Sequence, residues 1–259
     1  MAATARASVA VQGLMVHMGG LLSLTLDSAL ALRRRPHVGE LLEQTVFIAR
    51  VSMLPVVFVT IPLTVVVQFF VGQLLSQIGA ADLAGAGAAL AVVQELGPFC
   101  SVLVVAGAGA TAVCADLGAR RIREELEAMQ ALGIDLVHRL VVPRLIAFVI
   151  VSVGLFALVC AVGLTGTYLF STVSQGASPG LFVANLTLLV SPTDFIVGIV
   201  KTAVFGVAAG LVACHLGLNA KGGPQGVGDA VNQTVVYALM LLIVLNTLIT
   251  SIYLQLGGR

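Results

Sequence analysis

Ala119-Arg120-Arg121-Ile122-Arg123-Glu124-Glu125-Leu126-Glu127-Ala128-Met129-Gln130-Ala131-Leu132-Gly133 is the stretch around which the chain is organised. Here Asp116, Arg120, Arg121, Arg123, Glu124, Glu125 and Glu127 crowd together, although only 10% of the whole chain is charged. Long apolar runs lie on both sides. Ile122, Leu126 and Met129 recur at helical spacing as one stripe, while Arg121, Glu124 and Glu125 project elsewhere. A short, charged, amphipathic helix between two membrane spans is more than a turn requires. It reads as a piece built to dock something on one side of a membrane.

The flanking runs decide the class. The chain is 59% hydrophobic with a mean hydropathy of +1.08, outside the range of soluble domains. Several runs reach the roughly 20 residues needed to cross about 30 Å of hydrocarbon. Met1 to Ala10 lacks the basic segment and compact apolar core of a cleavable signal peptide. Lysine occurs only as Lys201 and Lys221 while arginine is common, a bias that with abundant Ala, Val and Gly suggests a GC-rich bacterial genome.

The expected fold is an all-α integral membrane protein of five spans. Residues 8–32 are apolar but interrupted by Gln12, His17, Gly19, Gly20 and Asp27, and read as a helix lying in the interface. Span one covers about 46–70, with Pro55 and Pro62 kinking it. Residues 78–95 read as an outer-surface or re-entrant helix before Pro98, followed by span two at 98–115 and the charged helix at about 117–134. Span three covers 140–170, an outer loop with a short helix 176–192, span four 194–216, a Gly-rich loop 217–229, and span five 230–255. The division is thus an N-terminal interfacial and basic segment, 1–45, and a five-span membrane domain, 46–259.

Arginine sets the expected orientation. Arg6, Arg33, Arg34, Arg35 and Arg50 lie before or at the start of span one. Arg120, Arg121, Arg123, Arg139 and Arg144 flank the charged helix, and Lys221 lies in the Gly-rich loop. Loops 71–97 and 171–193 contain neither Lys nor Arg. The positive-inside rule then puts the N-terminus, charged helix and Gly-rich loop in the cytoplasm and the C-terminus outside.

Few residues suggest chemistry of their own. Cys100, Cys114, Cys160 and Cys214 lie in apolar runs without CxxC spacing and read as packing residues. His17, His37, His138 and His215 lack metal-ligand spacing. No Ser-His-Asp or paired-carboxylate pattern and no GxxxxGK[ST] loop is present. Gly107 and Gly109 read as helix-packing positions. Lys201, some seven residues into span four, must face a cavity or a partner unless it snorkels to the headgroups, and Glu95 lies at similar depth.

Ordered pieces of the chain resemble the MlaE/YrbE permease family. They are Glu95-Leu96-Gly97-Pro98, Ala106-Gly107, Ala115-Asp116-Leu117-Gly118, Glu124-Glu125 with Ala128-Met129 and Gly133, and Val142-Pro143-Arg144. Val200-Lys201 to Phe205-Gly206, Ala213-Cys214, Gly217 and Lys221 to Gly228 continue the match to about residue 255. Phe47-Ile48-Ala49-Arg50-Val51-Ser52 and Tyr253-Leu254-Gln255-Leu256 look most like the A-type subunit of the actinobacterial branch. Glu127, Gln130 and Leu136 depart from the family's usual Asp, acid and Pro.

The resemblance implies a bacterial inner-membrane permease of a lipid ABC transporter, without enzymatic activity or a bound cofactor of its own. ATP and Mg would sit on a cytoplasmic ATPase dimer, coupled through Glu124, Glu125, Ala128, Met129 and Gly133. Further implied partners are a B-type permease paralogue, extracytoplasmic MCE-domain proteins and membrane lipid, not nucleic acid. Import of fatty acids, mycolic acids or sterols is the implied task, with Glu95 and Lys201 at the lipid entrance. Two other readings fit the residues: an ion-coupled secondary transporter using Lys201, Glu95 and Asp194, and a non-transporting envelope scaffold.

Overall fold

A computed structural model describes residues 19–31 and 38–255, and among these every regular element is a helix. The order is α1 (Gly19–Ala31), α2 (Val38–Gln77), α3 (Ala84–Ile122), α4 (Glu125–Ala131), α5 (Val137–Ser174), α6 (Pro179–Asn185), α7 (Pro192–Leu218) and α8 (Gly223–Gln255). Five of them, α2, α3, α5, α7 and α8, are long and apolar enough to cross a membrane. Met1–Ala10, Arg6, the 8–18 part of the expected interfacial helix, Arg33–Arg35 and Leu256 lie outside the described residues.

The described part of α1 is about 20 Å long at 1.5 Å per residue. It rests on the end of α7, with Gly20 against the His215 imidazole and Leu21 and Leu24 on the core. Leu22, Leu26 and Leu30 face outward.

Three expected boundaries are corrected. Residues 84–95 are not a separate surface helix before Pro98, because α3 runs unbroken from Ala84 to Ile122. It contains two π-helical turns, Ala91–Leu96 and Val105–Ala110, and every residue flanking them keeps right-handed helical angles. Pro98 follows the first wide turn, where a missing N–H and a bulky ring are tolerated. The charged stretch is not one helix either. Span two continues to Ile122, Glu124 takes φ 61 and ψ 13, and α4 starts afresh at Glu125. Ile122 therefore does not share a stripe with Leu126 and Met129: it is exposed on α3, while Leu126 is buried beneath α4. Finally, the Gly-rich loop shrinks to 219–222, because Gly223 to Asp229 form the first turns of α8, with Pro224 where its lacking N–H costs nothing.

The core sits on α5, which packs between α2 and α7; α7 in turn packs on α3 and α8. Helix α2 buries one residue in four: Gln44, Ile48, Ser52, Val56, Thr60, Thr64 and Gln68. Its inner face is thus small and polar while its bulky residues, among them Phe58, Phe69 and Phe70, face outward. In lipid this is sensible, since the hydrocarbon is as apolar as a leucine and small residues let backbones approach. The two buried threonine hydroxyls donate within the helix, Thr60 Oγ1 to the Val56 carbonyl (2.6 Å) and Thr64 Oγ1 to that of Thr60 (2.8 Å). Gln68 Nε2 crosses to Ser171 Oγ at 2.8 Å. Gly109 serves the same contact: a Cβ there would lie 3.1 Å from Ile48 and 3.3 Å from Ser52 Oγ. Gly107, in contrast, faces open space.

Candidate functional site

Three features stand out on this frame: a polar cluster near each edge of the bundle, and α4 beyond one of them. At the arginine end, Asp116 on α3 accepts from Arg144 Nη2 at 2.7 Å and sits 3.3 Å from Arg120 Nε. Arg144 is 0% exposed and also donates to the Leu140 carbonyl at 3.0 Å. A fully buried guanidinium is tolerable only when paired. Sequence reading counted Arg144 among the flanking arginines and missed this role; the signal was its place after Pro143, inside the apolar run.

At the other edge, Lys201 Nζ donates to Glu95 Oε1 at 3.0 Å and to the Gln94 carbonyl at 3.1 Å. The pairing of these two residues across span two and span four is as expected. Lys201 is 3% exposed, so it does not snorkel, and the outward charge is that of Glu95, 48% exposed. Asn246 and Thr250 on α8 donate to Glu95 at 3.3 Å each. Asp194, which the ion-coupled reading groups with Lys201 and Glu95, caps α7 by accepting from Ser191 N and Oγ (2.8 and 2.9 Å), and accepts from Gln94 Nε2 (3.0 Å) and Tyr253 Oη (2.5 Å). Gln94, Glu95, Asp194, Lys201, Thr250 and Tyr253 surround a cavity of about 30 Å³. That is room for a water molecule or two, not for an acyl chain. Along α3 the two clusters, Asp116 and Glu95, are about 30 Å apart, the thickness of the hydrocarbon.

Helix α4 hangs below the arginine end. Leu126 is buried and Met129 packs half-buried on the core, so Met129 holds α4 rather than projecting from it. Glu124, Ala128 and Leu132 form the outward stripe, and Leu132 is 77% exposed. Glu125 is tied to Arg123 at 3.1 Å and Glu127 to Arg121 at 3.4 Å. Among the described residues Glu124 makes no ion pair. Gly133 closes α4 at φ 75, a conformation suited to glycine. Leu132 was absent from the residues read off the sequence, where the apolar stripe was Ile122, Leu126 and Met129. The four cysteines are all buried among the helices, as their apolar surroundings predict.

A five-span helical bundle with a charged helix hung between its second and third spans is the architecture of a membrane permease subunit. Residues 41–252 match the family model described as Permease MlaE, and the chain belongs to that family. It is 28% identical over 206 residues to a probable ABC transporter permease protein of Rickettsia bellii, covering 76% of this chain and 80% of that one. A probable ABC transporter permease protein of Synechocystis is 30% identical over 180 residues, 70% of this chain and 68% of its own. The intermembrane phospholipid transport system permease protein MlaE of Haemophilus influenzae is 29% identical over 170 residues, 65% of each.

Proposed function

We propose that the chain is the permease subunit of an ATP-driven lipid transporter in a bacterial inner membrane, with the arginine end in the cytoplasm. The observation that carries this is α4: a helix anchored by Leu126 and Met129, offering Glu124, Ala128 and Leu132 outward from the membrane edge. An apolar knob beside a carboxylate that has no ion-pair partner among the described residues suits a groove lined with basic residues on an ATPase. The relatives' names supply the ABC and phospholipid-transport context. Copurification tests the assignment. With Glu124→Lys and Leu132→Asp the chain should insert normally but retain far less ATPase. Full ATPase retention and full lipid uptake in both variants would sink it.

The protomer's own outer-edge cavity is too small for lipid, so the pathway is taken to form between two permease chains, the second a B-type paralogue. MCE-domain proteins would deliver lipid of fatty-acid, mycolic-acid or sterol class at Glu95, for import, as in the actinobacterial branch. One observation favours the ion-coupled alternative: Lys201, Glu95 and Asp194 do surround one small cavity. Uptake that persists without an ATPase but follows the proton gradient would decide for it.

A further inference from the structure

We propose that the exposed face of α2 near the arginine end holds one phospholipid with a primary-amine headgroup, its phosphate on Arg50 and its ammonium on Glu43. This rests on α2 and its depth against α3, and not on the transport reading. Leu42, Val46, Phe47, Met53, Leu54 and Phe58 make this face apolar and exposed. Glu43 and Arg50 are its two charges, seven positions and so nearly two full turns apart, on the same side and about 10 Å along the axis. Leu42, Glu43, Val46, Phe47, Arg50 and Val51 line one shallow, open groove along α2. Among the described residues neither charge has an ion-pair partner.

Depth identifies the occupant. Ile48 and Ser52, either side of Arg50, touch Gly109. Gly109 lies two turns along α3 from Asp116, so the Arg50 backbone is about 10 Å inside the arginine edge and that of Glu43 is at the edge. Helical side chains lean toward the N-terminus, which here is toward that edge. The guanidinium therefore reaches toward that edge from just inside it, with Glu43 beyond it on the water side. An aminoethyl phosphate has that order of charges: phosphate inward, ammonium outward. A free guanidinium on a lipid-facing helix is costly in hydrocarbon, and a bidentate phosphate offsets that cost. Met53, Leu54 and Phe58 continue the apolar track for the acyl chains. A glycerol headgroup offers Glu43 neutral hydroxyls and no cation, and a choline headgroup offers no N–H to donate.

Native mass spectrometry of the full-length chain in detergent, with added dioleoyl phosphatidylethanolamine, phosphatidylglycerol or phosphatidylcholine, tests this. One phosphatidylethanolamine should survive activation that strips the others. Arg50→Gln should weaken its retention roughly tenfold, the loss expected for a charge-assisted bond. Arg50→Lys should keep most of it, a check that loss does not reflect misfolding. Glu43→Gln should retain lipid but lose the preference over phosphatidylglycerol. Equal retention of all three lipids by the unaltered chain, or undiminished retention by Arg50→Gln, overturns the proposal. So does a photoreactive residue at Phe47 that captures a polypeptide rather than lipid in native membranes, which would assign the groove to a partner's membrane helix.

Discussion

Glu124 is the sole described non-glycine residue with a positive φ, and a left-handed residue with a Cβ costs about 1 kcal/mol. Among the described residues its side chain makes no ion pair to offset that strain. Glu124→Gly should raise the thermal midpoint of the purified chain by an amount corresponding to about 1 kcal/mol, while ATPase binding falls. A rise in both would show that the carboxylate is not used for docking. Asp116 is the opposite case. It neutralises an Arg144 that has no exposure, so Asp116→Ala leaves a buried cation and should destabilise by about 3 kcal/mol. Loss of folded material on size exclusion reads this out, and the double variant Asp116→Ala/Arg144→Leu should recover part of it. Lys201→Ala bares Glu95 on one side only, because Asn246 and Thr250 still donate to it. It should lower lipid uptake more than abundance; normal uptake would remove the pair from the pathway.

At the scale of elements, helices here are fitted by missing side chains rather than by large ones. Helix α6 lies on α3 so closely that a Cβ at Gly85 would fall 2.2 Å from the carbonyl oxygen of Phe182. Backbone cannot yield as a flexible side chain can. Gly85→Ala should therefore cost about 1–3 kcal/mol through displacement of α6, seen as a lower midpoint of thermal unfolding in detergent. A midpoint equal to that of the unaltered chain would mean that α6 is not seated there. The π turns of α3 have a related effect. By widening the helix they carry Pro98 and shift the faces on either side, so Glu95 meets Lys201 across the bundle at one edge while Asp116 meets Arg144 at the other.

At the scale of the whole molecule, the bundle is unevenly covered. Helix α8 packs on α3 and α7 and leaves Val236, Met240, Ile243, Val244, Leu248 and Ile252 as one exposed stripe. Lipid can cover such a stripe, but an exposed Glu95 and its α8 donors nearby are poorly suited to hydrocarbon. A second permease chain across this face would cover both and supply the second ATPase-docking helix. Met240→Arg should then lower the dimer fraction in native mass spectrometry severalfold without preventing insertion; an unchanged dimer would place the seam elsewhere. Gly107, which meets nothing inside the protomer, is a second candidate for that seam, whereas Gly109 is already committed to α2.

Composition and the spacing of apolar runs sufficed for the class, the number of spans, the side on which arginine gathers and the motif pieces of the family. Those properties follow from the membrane as solvent: hydrocarbon thickness dictates run length, and charge is costly anywhere but at the edges. What α3 does between Ala84 and Ile122 was not legible, because a π turn has no periodicity of its own and a proline beside it reads as a break. The split of the charged stretch at Glu124 was hidden for a similar reason, since nothing local to Arg123-Glu124 favours a left-handed residue. Pairing was legible only in part. Glu95 and Lys201 suggested each other by depth and sign, but Asp116 and Arg144 lie 28 positions apart and on different helices. Only the close approach of α3 to α5 turns Arg144 from one more arginine at the membrane edge into a buried partner of Asp116.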